Sequence, residues 1–216
     1  LATSDPVVFN QEYGAEFTSL SGRVFENFKH ETHTGDYPYA PNLPTFCSID
    51  WGYRMPAVLW FQIGKINGVE HVFIIDEIIH EKNIKTDVLI DRIMSKNYGV
   101  RRYYGDPAGY QVQSSLGMGD AELFYRMSGN RLFYLRDKMS RSITDGVNHM
   151  RKFIMSADNK IRLHINKKNL IACQAIYMSK VRTIYNHYGL QISQICFIHQ
   201  GVYLYIKPLV SRFWNV

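Results

Sequence analysis

Alternating apolar positions dominate the chain from Thr45 onward. Residues 45–50, 57–65 and 70–79 are rich in Val, Ile, Phe and Trp and predict three strands. Asn67-Gly68 between the last two is a hairpin signal, so the three form a meander. Helical spacing then takes over at 86–96, with Thr86 as cap, Leu89, Ile90, Ile93 and Met94 on one face, and Gly99 as the stop. A fourth strand at 100–105 follows. Beyond it the pattern predicts a helix over 110–127 interrupted at Gly117 and Gly119, and a fifth strand at 131–136. Ser142 caps a further helix to about residue 155, with Val147, Met150 and Ile154 inward, followed by a short strand at 160–165 and a helix at 170–185. Hairpin-linked strands followed by alternation with helices predict an α/β mixed sheet, antiparallel in strands 1–3 and then parallel, flanked by helices.

The ends of the chain are less regular. Phe9, Tyr13 and Phe17 recur at helical spacing, and 30–44, with three prolines among His, Thr, Gly and Asp, is expected to be a loop. Residues 194–206 are apolar enough for a strand or two but lack a clear turn before Gly201.

Composition narrows the class. With 216 residues and 46% hydrophobic content, one domain with a sizeable core is expected. No apolar run approaches the roughly 18 to 20 residues of a membrane span, and no signal-peptide plan opens the chain, so a soluble intracellular protein is expected. The chain starts at Leu1 with mid-protein character, as a fragment of a longer protein would. Cys47, Cys173 and Cys196 have no C-x-x-C spacing, which argues against a disulfide framework or a structural zinc and for buried thiols. No G-x-x-x-x-G-K-[ST] occurs, so ATP hydrolysis by this chain is not expected.

Charge is unevenly placed. The net charge is +6, yet all 19 acidic residues lie at or before Asp158, leaving the basic residues of 159–216 uncompensated. A basic segment beside acids suits a polyanion held against metal ions, and equally an ordinary basic surface.

Two acids stand out at strand ends. Asp50 closes the first strand and Asp106 follows the fourth, within Tyr104-Gly105-Asp106-Pro107-Ala108-Gly109. Each could be a turn residue or a helix cap. A sheet ordered 3-2-1-4 would make their strands neighbours, and two carboxylates held there could share a divalent metal. Asp76 and Glu77 end the third strand as an outer acidic patch or an exposed terminus. Arg101 and Arg102, with Arg136, Lys138, Arg141 and Arg151, are candidates for a DNA phosphate track or for a solvated face. Trp51 and Tyr53 beside Asp50 are read as stacking surfaces for DNA or, more simply, as packing.

In the succession Phe9-x-Gln11-Glu12-Tyr13, Asp50-x-Gly52, Tyr104 to Gly109, and Ile143-Thr144-Asp145-Gly146-Val147, the chain resembles the C-terminal nuclease domain of the large terminase subunit of tailed bacteriophages, in the RNase H-like superfamily. The resemblance covers roughly residues 1–165, and 169–216 match poorly. It implies an RNase H-like fold and an endonuclease that cuts concatemeric double-stranded DNA with two ions of Mg²⁺ or Mn²⁺. Asp50 would bridge the ions and Asp106 would bind one of them. The family's third acid near the C-terminus has no counterpart here. Asp145 at a helix start, with His149 one turn later, stands in its place, or it is a first-turn acid that favours the helix dipole.

The resemblance also implies that residues 1–44 are linker and N-terminal helix from a preceding domain, with the nuclease in 45–216. It further implies an upstream ATPase domain, a portal and a small terminase subunit as partners, no membrane, and the host cell cytoplasm as location. A RuvC-like resolvase, a transposase-type nuclease, or a catalytically weak DNA- or portal-docking domain are the alternatives.

Overall fold

A computed structural model describes residues 25–51, 56–79, 83–105, 107–112, 117–133 and 143–169, with the side chains of 107, 108, 143–147 and 149 excepted. The expected helices at 9–17 and 170–185 and the strands at 194–206 lie outside the described residues.

The meander forms as its pattern predicts. Strand β2 (Thr45–Asp50) pairs antiparallel with β3 (Ala57–Ile66), and β3 with β4 (Val69–Ile78). Asn67 (φ 51°) and Gly68 (φ 78°) make the left-handed turn between β3 and β4 that this dipeptide favours. Strand β5 (Val100–Gly105) then lies parallel to β2, and β6 (Leu132–Phe133) parallel to β5. On the other edge β7 (Leu163–Asn166) runs parallel to β4, with the short strand β1 (Thr34–Gly35) outside it. The sheet order is β1-β7-β4-β3-β2-β5-β6, so the expected order of the first four strands holds. This is a mixed α/β sheet of RNase H-like topology.

One face is closed by α2 (Thr86–Ser95) and α3 (Asp120–Ser128). Cys47, Ile49, Val58 and Trp60 of the sheet pack there with Leu89, Ile90 and Ile93 of α2 and Ala121 and Phe124 of α3. The Cys47 thiol is free and buried, and burial pushes its pKa up. Phe46, Leu59, Phe61 and Ile74 alternate onto the opposite face, where Phe46 and Phe61 stack at 5.6 Å. Helix α4 (Ile143–Ile154) buries Met150, Phe153 and Ile154 outside the first cluster. Among the described residues no helix is long and apolar enough to cross a membrane.

Three expectations change. Residues 30–44 are not simply a loop: α1 (His30–His33) and β1 arise there because His33 is fully buried and its Nε2–H donates to the Ile154 carbonyl at 3.0 Å. The bond joins residues 121 positions apart, and local composition carries no trace of it. The helix expected over 110–127 starts only at Asp120. Gly117 at φ +65° leaves the right-handed region, and a Cβ at Gly119 would sit 2.7 Å from the Gly109 carbonyl oxygen. Pro107–Tyr110 forms a single 3-10 turn instead. Finally, Thr86 is the first residue of α2 rather than its cap, and its hydroxyl donates to Asp120 Oδ1 at 2.9 Å, tying α2 to α3.

Candidate metal centre at the strand ends

Asp50 is the last residue of β2, half-buried, with β3 on one side and β5 on the other. Its backbone pairs with Ala57. The β2–β5 ladder runs from Thr45↔Val100 through Ser48↔Tyr104 to Ile49↔Gly105, the last pair among the described residues and the one immediately before Asp50 and Asp106. Parallel neighbours stand about 4.8 Å apart. Asp106 itself lies outside the described residues. Asp145 is the third residue of α4, and the side chains of Asp145 and His149 are likewise outside them.

Face assignment separates the remaining acids. Ile49 and Trp51 belong to the cluster beneath α2 and α3, so Asp50 between them turns to the other face. Glu77 pairs with Leu59, which in turn pairs with Ser48, and these share the face of Asp50. Asp76 does not. It sits beside Trp60 on the face of α2, accepting hydrogen bonds from Lys96 Nζ at 2.7 Å and Tyr98 Oη at 2.8 Å. The expected Asp76–Glu77 patch is therefore split across the sheet, as period-2 alternation requires of adjacent strand residues.

Burial raises the Asp76 carboxyl, but hydrogen bonds from Lys96, Tyr98 and the Glu77 amide, with the Lys96 charge, outweigh it and hold the pKa below the usual carboxylate value. Tyr98 is pushed up by burial and by its bond to Asp76.

Trp51 is a packing residue. It is buried, meets Phe124 edge-on at 6.1 Å, and lies against the backbone of the turn after β5. A Cβ at Gly109 would fall 2.5 Å from both Cδ1 and Nε1 of the indole, and one at Gly105 would fall 3.4 Å from Nε1. The glycines of that turn thus seat the residue that follows Asp50. Tyr53 lies outside the described residues.

Of the basic candidates, Arg102 pairs with Phe46 and so shares the face of Asp50, its guanidinium 4.8 Å over the half-exposed Phe133 ring. Arg101 is exposed four residues before Gly105, about 13 Å back along β5. Arg151 on α4 is partly buried; burial lowers its pKa and the Glu26 charge opposes that. Arg136, Lys138 and Arg141 lie outside the described residues.

A further carboxylate, Asp120, is buried at the start of α3, and its only mark in the sequence is that of a first-turn acid following Gly119. Among the described residues no three His, Cys, Asp or Glu side chains come together as a metal-binding group. What the described strand end offers is an oxygen donor, Asp50, which suits a hard divalent cation rather than a soft one.

No family profile matches the chain, and no curated protein matches it significantly. Solved structures do. The large terminase from a thermophilic bacteriophage superposes with a TM-score of 0.50 at 14% identity, covering 72% of this chain. This chain spans 36% of that protein's length. The nuclease domain of the P22 large terminase superposes with a TM-score of 0.56 at 12% identity, covering 73% of this chain and 79% of that domain. At these identities the likeness is one of fold: the sheet and helices described above are arranged as in large-terminase nuclease domains.

Proposed function

We propose that this chain is the metal-dependent endonuclease domain of a viral DNA-packaging terminase, a hydrolase that cleaves concatemeric double-stranded DNA. The observation that supports this most is Asp50 at the end of a central strand, beside a parallel neighbour whose described pairing reaches Gly105, the residue just before Asp106. Asp50, Asp106 and Asp145 would hold two ions of Mg²⁺ or Mn²⁺, and their carboxylate oxygens match that chemistry. Bound ions would supply an activated water and charge stabilisation at the leaving 3′-oxygen.

The residues of the chain do the positioning. Asp50 is held by a strand paired on both sides, so its carboxylate reaches the ligand end without a flexible tether. Glu77 on the same face would add negative potential and His149 would serve as a further outer group; Asp76 is left out because Lys96 and Tyr98 already bind it beneath α2. Arg102, with Arg101, Arg136, Lys138, Arg141 and Arg151, would neutralise backbone phosphates, so cutting depends little on base sequence. The division into 1–44, linker and N-terminal helix from a preceding domain, and 45–216, the nuclease, belongs to this reading, with β1, Phe25 and Phe28 of the first part joined to the sheet and core. An upstream ATPase domain, a portal, a small terminase subunit and the host cytoplasm belong to this same reading.

Incubation of the chain with supercoiled plasmid and Mn²⁺ tests it. Nicking is expected from the wild type and absent from Asp50→Asn and Asp106→Asn. Nicking that survives both substitutions would sink the assignment. Cleavage of branched but not linear DNA would favour a RuvC-like resolvase or transposase-type enzyme, and DNA binding without cleavage a docking domain.

A further inference from the structure

Trp51 is the residue directly after Asp50, and its indole does not face solvent. It lies across the backbone that follows β5, against Gly105 and Gly109, on either side of Asp106 in sequence. Gly109 cannot carry a side chain with the indole in place, because a Cβ there would meet Cδ1 and Nε1 at 2.5 Å. Gly119, just before α3, lies against the same turn: a Cβ there would meet the Gly109 oxygen at 2.7 Å. Three glycines and one indole thus form a continuous layer joining the end of β2, the turn after β5 and the start of α3. Leu132 of β6 also packs on Gly105, and Tyr110 Oη donates to the Leu132 carbonyl at 3.1 Å.

We infer that Trp51 and Gly109 are positioning residues for the proposed metal site, an indole-on-glycine lock that sets the spacing between the strand ends bearing Asp50 and leading into Asp106. The inference rests on the proposed function and adds to it the device that holds the ligands in register. Ile49↔Gly105 is the last ladder pair among the described residues, and the indole–glycine contact lies just beyond it. Supporting groups around metal ligands commonly alter affinity by about 10- to 100-fold when removed.

The test titrates Mn²⁺ alone into the full chain by calorimetry, with unfolding followed separately in EDTA. Gly109→Ala is expected to keep a cooperative transition and bind Mn²⁺ about 10- to 100-fold more weakly. Adding Trp51→Leu, whose smaller side chain frees the space at Cδ1 and Nε1, is expected to recover most of that loss. Trp51→Leu alone is expected to weaken Mn²⁺ binding by less than Gly109→Ala while remaining folded, and it decides the matter if Gly109→Ala does not fold. Wild-type affinity in the folded single variants, or a double variant that regains nothing, overturns the inference. Asp50→Asn is the control that separates the two ideas: if it binds Mn²⁺ as wild type does, the metal site itself fails.

Discussion

Acid should weaken this fold as the pH falls below about 6.5, and the cause is a pair of histidines far from the strand ends. His71 Nδ1 and His164 Nε2 lie 2.8 Å apart on adjacent parallel strands, with rings stacked at 5.1 Å. His164 also stacks on Phe73 at 4.8 Å and meets the tilted Tyr37 ring at 5.2 Å. Burial, then the charges of His71 and His33, lower the His164 pKa from 6.5 to about 4. His71 is lowered as well, by burial and by Arg162.

The sign follows from linkage. Unfolded histidine takes its proton near pH 6.5 while the folded His164 resists until about 4, so the unfolded state binds more protons throughout that window. Stability is complete above pH 6.5 and falls as the pH drops toward 4. At pH 5 the deficit is about 1.5 pKa units, or about 2 kcal/mol at most, an upper bound that solvent screening reduces for this half-buried group. Urea denaturation at pH 7 and pH 5 measures it. His164→Phe keeps the ring stacking and removes the proton site, so the difference between the two pH values should shrink by at least half. Equal stability of the wild type at both pH values, or an unchanged difference in His164→Phe, would refute the reasoning. Asp76, with its lowered pKa, loses its contribution only as the pH falls below about 4, outside this window.

Other substitutions probe the packing that positions the site. Lys96→Met leaves the Asp76 carboxylate under α2 with Tyr98 as its remaining side-chain donor, and a loss of about 2 kcal/mol is expected in urea denaturation. Phe124→Ala removes a fully buried ring that contacts Trp51 and Tyr103; about 3 to 5 kcal/mol should be lost in the same measurement. Gln62→Leu removes the acceptor of the Ala40 amide and the donor that the buried side chain gives to the Ala40 carbonyl and the Thr45 hydroxyl, and should cost about 2 kcal/mol.

The sequence reveals most where the signals are local. Asn67-Gly68 marks the hairpin, the spacing of Leu89, Ile90 and Ile93 marks α2, and the runs at 45–50 and 100–105 mark the two strands whose ends approach each other. Non-local contacts are what local pattern misses. α1 and β1 owe their place to the His33 bond to Ile154 and to pairing with β7, and neither partner is near in the chain. Apolar spacing over 110–127 suggests one long helix, although at Gly119 backbone contact with residue 109 requires the missing side chain. Asp76 and Glu77 look equivalent as neighbours at a strand end; the pleat sends them to opposite faces, and Lys96 and Tyr98 claim the first. Trp51 reads in the sequence as an aromatic beside an acid, and only the packing shows it closing the turn that follows β5.

The proposed site is tested most directly by anomalous diffraction from crystals of the chain soaked in Mn²⁺. A peak within about 2.0 to 2.6 Å of an Asp50 carboxylate oxygen, shared with Asp106 and lost in Asp50→Asn, is the expected result. Mn²⁺ bound elsewhere, with the strand ends of β2 and β5 empty at saturating metal, would contradict a metal-dependent nuclease centred on Asp50.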